Sequence, residues 1–141
     1  MAILGGWGAA WYQMRNARKN RMNEIIAERK VTVNAEAFAV SKDIEASLIQ
    51  KGVKDTLQRV LNQEEWFFNN RLFLPGNFPA KWLAIRTDLS QLARWLSDVN
   101  IETAEKVALE TKIRNCITEA IDEIYKDMDL IRIKVDDTNT I

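Results

Sequence analysis

Hydrophobic side chains recur at helical spacing along most of this 141-residue chain. Between residues 79 and 97 the apolar positions are three or four residues apart, which is the repeat of a buried helix stripe. In residues 101–128 apolar side chains fall on one side of a predicted helix and charged side chains on the other. This pattern predicts an all-α fold, a single-domain bundle of about five helices. The clearest stripe consists of Trp82, Ile85, Leu89, Leu92 and Leu96.

Residues that favour caps and turns predict where the helices begin and end. Asn34 is a favourable N-cap, and Gly52 is a favourable stop for the helix between them. A further helix is expected over residues 54–73, before the Pro-Gly pair at 75–76, the strongest turn signal in the chain. Residues 31–33 are β-branched and favour a short extended link between the first two helices.

The C-terminal residues allow two predictions. Residues 130–135 largely alternate between apolar and charged side chains, which is typical of one short strand. A lone strand must pair with another chain, so the alternative is the frayed end of the last helix. Residues 136–141 are polar and are expected to form a loose tail.

The N-terminal segment combines apolar, aromatic and small residues before a basic run begins at Arg15. Its apolar positions follow a 3–4 spacing, which predicts a helix to about residue 28. The pair Gly6 and Ala10 are four residues apart, a spacing that lets a second helix approach closely. Three glycines weaken an isolated helix by about 1 kcal/mol each relative to alanine. The side chains predicted to contact a partner or a membrane are Leu4, Trp7, Trp11 and Tyr12.

Three environments suit this segment. It packs against protein, in its own chain or in a partner subunit; or it lies in a membrane interface with its aromatic rings at headgroup level; or it is a loose tail. Its apolar run is shorter than the roughly 20 residues that span a bilayer. Because its positive charge follows the apolar run, it lacks the order of a secretory signal, and we expect a protein that is not secreted.

Charge is balanced over the whole chain, with 20 basic and 20 acidic residues, but it is unevenly distributed. Residues 1–33 have a net charge of +4 and residues 101–141 a net charge of −4. In one interpretation the first and last helices of the same chain pack together. In the other, the basic start of one subunit meets the acidic end of a neighbour. The side chains predicted to contact another subunit or a polyanion are Arg15, Arg18, Lys19 and Arg21.

The composition argues against the common catalytic sites. The chain has no histidine, which excludes Ser-His-Asp and Cys-His catalysis and histidine-ligated metals. Its single cysteine, Cys116, lies among apolar positions and is expected to be a packed side chain. The aromatic residues between 66 and 82 are expected to fill the core, although exposed rings there would suit base stacking. No catalytic, cofactor-binding or metal-binding residue is predicted, and no cofactor.

The sequence therefore divides into a helical apolar and basic segment over residues 1–30, a bundle core over 31–135 and a polar tail over 136–141. The start, from Gly5-Gly6-Trp7-Gly8 through Arg21, resembles the layout of small virion proteins of tailed phages. That resemblance implies a virion subunit, and the unpaired Cys116 fits a cytoplasmic origin, so the expected location is the cytoplasm or a virion.

The sequence favours a non-enzymatic subunit of a larger assembly, with protein partners that include copies of itself. In this hypothesis the N-terminal segment packs into neighbouring subunits or a membrane. The alternative is a nucleic-acid-binding accessory protein that uses the basic N-terminal helix.

Overall fold

The computed structural model describes the backbone of residues 2–139 and the side chains of residues 8–129. Within that backbone every regular element is helical, which confirms the predicted all-α bundle. The elements are α1 (Ala2–Gln50), α2 (Val53–Asn62), α3 (Glu64–Asn70), a 3₁₀ turn (Arg71–Phe73), α4 (Phe78–Trp95) and α5 (Thr103–Asn139).

The chain divides into two compact units, Met1–Thr32 and Val33–Ile141. In the second unit, residues 33–48 of α1 bury one apolar stripe, and α4 and α5 bury one stripe each. Burying apolar side chains is the main driving force for such a bundle. The hydrophobic residues of the three stripes that are at most 2% exposed are Val33, Ala37, Ile44, Phe78, Trp82, Ile85, Leu89, Leu92, Ile113, Ile117, Ala120 and Ile124.

An aromatic stack lies in the middle of this core. The ring of Trp82 stacks on Phe67 at a centroid distance of 5.8 Å and on Phe78 at 6.0 Å. Trp66 meets Trp82 edge-on at 6.0 Å, and its indole N–H donates a 2.8 Å hydrogen bond to Glu36 of α1. The expectation that this aromatic cluster fills the core is confirmed for these rings, whereas Phe68 remains 58% exposed.

The glycine at residue 52 separates α1 from α2, as predicted. Gly52 has φ 97° and ψ −179°, a region that is open almost exclusively to glycine. The backbone N–H groups of Lys51 and Gly52 both donate to the carbonyl of Ser47, which closes the end of α1.

Two predicted helix boundaries are wrong. Residues 31–33 are helical rather than extended, so Asn34 lies inside α1 and does not cap it. The helix predicted over 54–73 is interrupted at Gln63, whose N–H donates to the carbonyl of Val60. The chain then restarts as α3, which is followed by the 3₁₀ turn, and Phe67 of α3 stacks on Trp82.

The short C-terminal strand allowed by the alternating pattern is not present in the described backbone. Residues 130–135 belong to α5, which continues through Asn139. A continuous helix satisfies the backbone groups within one segment, whereas a single strand would leave them unpaired. Of the predicted polar tail, residues 136–139 are therefore helical, and Thr140 and Ile141 lie outside the described residues.

Candidate partner-binding surface

The first unit exposes every side chain that the structure describes in it. From Gly8 to Thr32 each residue is exposed to solvent, including its large apolar side chains. Five of these side chains are between 58% and 65% exposed, which is unusual for side chains of this size. They are Trp11, Tyr12, Met14, Met22 and Ile25.

The spacing of these residues separates two faces of α1. At 100° per residue, one side of the helix combines apolar and basic side chains, and we call it the mixed face. The opposite side, the reverse face, includes the short neutral side chains of Asn16, Ala17, Asn20 and Ala27 together with Glu24. The mixed face consists of Trp11, Met14, Arg15, Arg18, Met22 and Ile25.

Trp11 and Arg15 organise one end of the mixed face. The guanidinium carbon of Arg15 lies 5.4 Å from the centroid of the Trp11 ring, within the range of a cation–π contact. A shallow groove of about 390 Å³ is lined by Trp11, Met14, Arg15 and Arg18. This contact places an aromatic ring and a cation side by side on a helical segment whose described side chains are all exposed.

The residues predicted to contact partners have different positions on this helix. Arg15 and Arg18 lie on the mixed face, while Lys19 and Arg21 lie near its two edges. None of these four basic side chains forms an ion pair with any residue from 8 to 129. Trp11 and Tyr12 are exposed, as a contact role requires. Leu4 and Trp7 lie outside the residues whose side chains the structure describes.

A second exposed surface lies on the outer side of α5, and we call it the acidic stripe. It consists of Thr118, Asp122, Tyr125 and Asp129, which are exposed and follow steps of four, three and four residues. Neither Asp122 nor Asp129 forms an ion pair with a described residue. Asp122 and Tyr125 were not among the contact residues predicted from the sequence, although their spacing opposite the apolar stripe of α5 was a usable signal.

A groove of about 700 Å³ between α4 and α5 is an alternative site. Its two lysines are already paired. Lys81 forms a 2.5 Å ion pair with Glu119, and Lys112 lies 3.3 Å from the buried carboxylate of Asp88. These pairs leave little free charge to attract a charged ligand.

The cysteine beside this groove has the properties of a packing residue. Cys116 is buried, and its thiol donates to the backbone carbonyl of Lys81 at 3.5 Å. Burial raises the pKa of the Cys116 thiol, and the nearby Lys81 ammonium only partly opposes that shift. A reactive cysteine requires the opposite shift.

Two neighbouring carboxylates, Glu64 and Glu65, lie in the first turn of α3. Glu64 forms an ion pair with Arg86 while its neighbour Glu65 is exposed, so the two acids do not converge. Among the described residues, no three acidic or cysteine side chains form a group that could hold a metal ion. Within the same residues, no helix has both the length and the apolar character needed to cross a bilayer.

Comparison with known proteins gives no match: no protein-family model, no curated protein and no solved structure is similar to this chain.

Proposed function

We propose that this protein is a non-enzymatic helical subunit that assembles with copies of itself through the mixed face of its N-terminal unit. The observation that supports the proposal is the exposure of Trp11, Met14, Met22 and Ile25 together on one side of a helix. Exposed apolar groups of this size are unfavourable in water, and covering them favours association. The single free cysteine fits a cytoplasmic or virion location for the assembly.

The side-chain types on the mixed face favour a protein partner. Tryptophan, methionine and arginine are enriched at protein interfaces, and tryptophan and arginine are among the residues that dominate binding energy. A helix that lies in a membrane interface keeps its cations on the polar face, away from the apolar one. Here Arg18 lies within the apolar row, between Met14 and Met22, so cations and apolar side chains are not segregated as they are on a typical membrane-surface helix.

The mass of the purified full-length chain in solution tests this proposal. Light scattering coupled to size exclusion should give a mass above that of one 16.3 kDa chain, rising with protein concentration. The variant Met22→Gln/Ile25→Gln should shift the mass toward the monomer because it removes apolar area from the mixed face. Its matched control is Ala17→Gln/Ala27→Gln, which adds the same side chains to the reverse face.

All four positions are exposed, and glutamine is a good helix former, so both variants should retain the bundle, as circular dichroism would verify. A monomer at every concentration would overturn the proposal, and so would an equal loss of mass in the two variants. Binding to nucleic acid that weakens steeply with salt, in a chain that stays monomeric, would favour the nucleic-acid alternative instead.

A further inference from the structure

We infer that the mixed face of one copy docks on the acidic stripe of α5 in a second copy. This inference rests on the proposed function and specifies which surface of the neighbouring subunit covers the mixed face. The contact joins two different surfaces, the mixed face of one copy and α5 of the other, rather than two identical surfaces.

The net charges of the two segments favour this contact. Residues 8–32 have six basic and two acidic side chains, a net charge of +4. Two such units brought face to face would repel each other, so pairing of one mixed face with another is disfavoured. Residues 118–129 have five acidic side chains and one basic side chain, a net charge of −4. The two segments that contain these surfaces are therefore opposite in net charge.

The ion pairs already present in the chain show which acids are available. Glu119 pairs with Lys81, and Glu123 pairs with Lys126. Asp127 accepts a hydrogen bond from Asn34. Asp122 and Asp129 are the exposed carboxylates of residues 118–129 that have no cationic partner among the described residues.

The spacing of side chains on the two surfaces also favours this contact. Both follow the 3–4 repeat of a helix face, so two helices can pack along them with ridges in grooves. Asp122 and Asp129 are seven residues apart, about 10.5 Å along the axis, and Tyr125 lies between them. The ring of Tyr125 meets Phe38 edge-on at a centroid distance of 5.6 Å, but the side chain is still 47% exposed, and that exposed part can contact a methionine such as Met22. Arg15 and Arg18 are then placed to reach a carboxylate beside that contact.

The α4–α5 groove does not offer the same complement. It is lined by Lys81 and Lys112, and their carboxylate partners already balance them. A basic helix has no net opposite charge to meet there.

Disulfide trapping between two differently tagged chains tests the contact directly. Both chains have Cys116→Ala, so that no native thiol competes; one also has Met22→Cys and the other Tyr125→Cys. Mild oxidation should give a disulfide-linked dimer that carries both tags. In the control pair, Ala27→Cys on the reverse face replaces Met22→Cys and should give less than about a tenth of that dimer.

Charge reversal gives an independent measurement. The variant Asp122→Arg/Asp129→Arg should raise the concentration needed for half-assembly at least tenfold. Mixing it with Arg15→Glu/Arg18→Glu chains should restore assembly, because the reversed charges are again opposite. The control Glu65→Arg/Glu105→Arg changes two exposed acids outside the stripe and should assemble normally.

The outcomes separate the inference from the proposed function. If Met22→Gln/Ile25→Gln dissociates the assembly while Asp122→Arg/Asp129→Arg does not, the docking site is wrong and the proposed function stands. If Met22→Cys and Tyr125→Cys cross-link only when both are in the same chain, the contact is intramolecular and the inference is overturned. A wild-type chain that is always monomeric overturns the proposed function itself.

Discussion

The side-chain amide of Asn34 donates a 2.6 Å hydrogen bond to Oδ2 of Asp127 and so joins α1 to α5. Asn34 is only 2% exposed, and its own side-chain oxygen has no hydrogen-bond partner among the described residues. Losing this hydrogen bond would lower the free energy of unfolding, because it would leave polar groups of Asn34 and Asp127 without partners in the fold. Asn34 is the second residue of the second unit, so this contact lies at the N-terminal end of the part of α1 that belongs to the bundle.

Replacing Asn34 should therefore destabilise the protein. We expect Asn34→Ala to lower the free energy of unfolding by about 1–3 kcal/mol. Asn34→Asp should cost more at pH 7, because it sets a second carboxylate against Asp127 in a buried position. Urea unfolding followed by circular dichroism measures both. Asn69→Ala, at an exposed position of α3, should change little, and equal losses in all three variants would contradict the expectation.

Trp82 should be the most sensitive core position. Its ring stacks against Phe67 and Phe78, so Trp82→Ala leaves a large cavity and should cost about 3–5 kcal/mol. The indole N–H of Trp82 is buried without an acceptor among the described residues, so Trp82→Phe loses ring volume but no hydrogen bond. We expect Trp82→Phe to cost less than half as much. Equal losses in urea midpoints would mean that the indole N–H has a partner after all.

The thiol of Cys116 should report on opening of the bundle. Because it is buried, a thiol reagent should label it slowly in the native protein and rapidly in urea. Fast labelling without denaturant would contradict the packing described for α4 and α5.

The raised pKa of Cys116 also predicts a loss of stability at alkaline pH. The folded state holds the thiol proton to a higher pH than the unfolded state, so this contribution is complete below the ordinary thiol pKa of about 8.5. It is lost as the pH rises from there through the raised pKa of the folded state. Cys116→Ala should remove this part of the alkaline loss, which urea midpoints at pH 7, 9 and 10 would show. An identical pH profile in the variant would contradict it.

Two glycines should respond in opposite ways to alanine. A methyl group added at Gly8 meets no atom within 4 Å, so Gly8→Ala should strengthen the helix by about 1 kcal/mol. Hydrogen exchange of the amides near residue 8 should then slow by about fivefold. Gly52→Ala should instead destabilise the bundle, because its φ of 97° is unfavourable for alanine.

The urea midpoint of the bundle distinguishes the two glycine variants. Gly52→Ala should lower the urea midpoint of the whole bundle, whereas Gly8→Ala should leave that midpoint unchanged. A Gly8→Ala variant that exchanges faster would show that the position does not tolerate a side chain in the helix.

The sequence predicted the helices wherever a local pattern and a local stop agreed. The seam of Trp82, Ile85, Leu89 and Leu92 is buried as expected, because the 3–4 repeat puts these side chains on one face. Gly52 ends α1 because few other residues adopt its backbone angles. Leu96, the fifth member of the seam, is 47% exposed because α4 ends one residue earlier.

Local preference gave the wrong answer where packing outweighed it. Residues 31–33 are β-branched, yet a helix costs them only a few tenths of a kcal/mol each, and burial of Val33 more than compensates. The hydroxyl of Thr32 finds an acceptor within the helix, donating to the carbonyl of Glu28 at 3.1 Å. The break at Gln63 had no local signal, because its benefit, the stack of Phe67 on Trp82, comes from residues distant in sequence.

The candidate partner-binding surface was likewise predicted from the sequence only in part. The sequence alone determined that the first helix combines aromatic, apolar and basic side chains, since this is a property of residue order and helical spacing. Only the tertiary structure decided that these side chains are exposed, that Lys81 and Lys112 are neutralised, and that Asp122 and Asp129 have no cationic partner among the described residues. The physical reason is that exposure and ion pairing depend on which other segments fold against a residue, and residue order does not specify that locally.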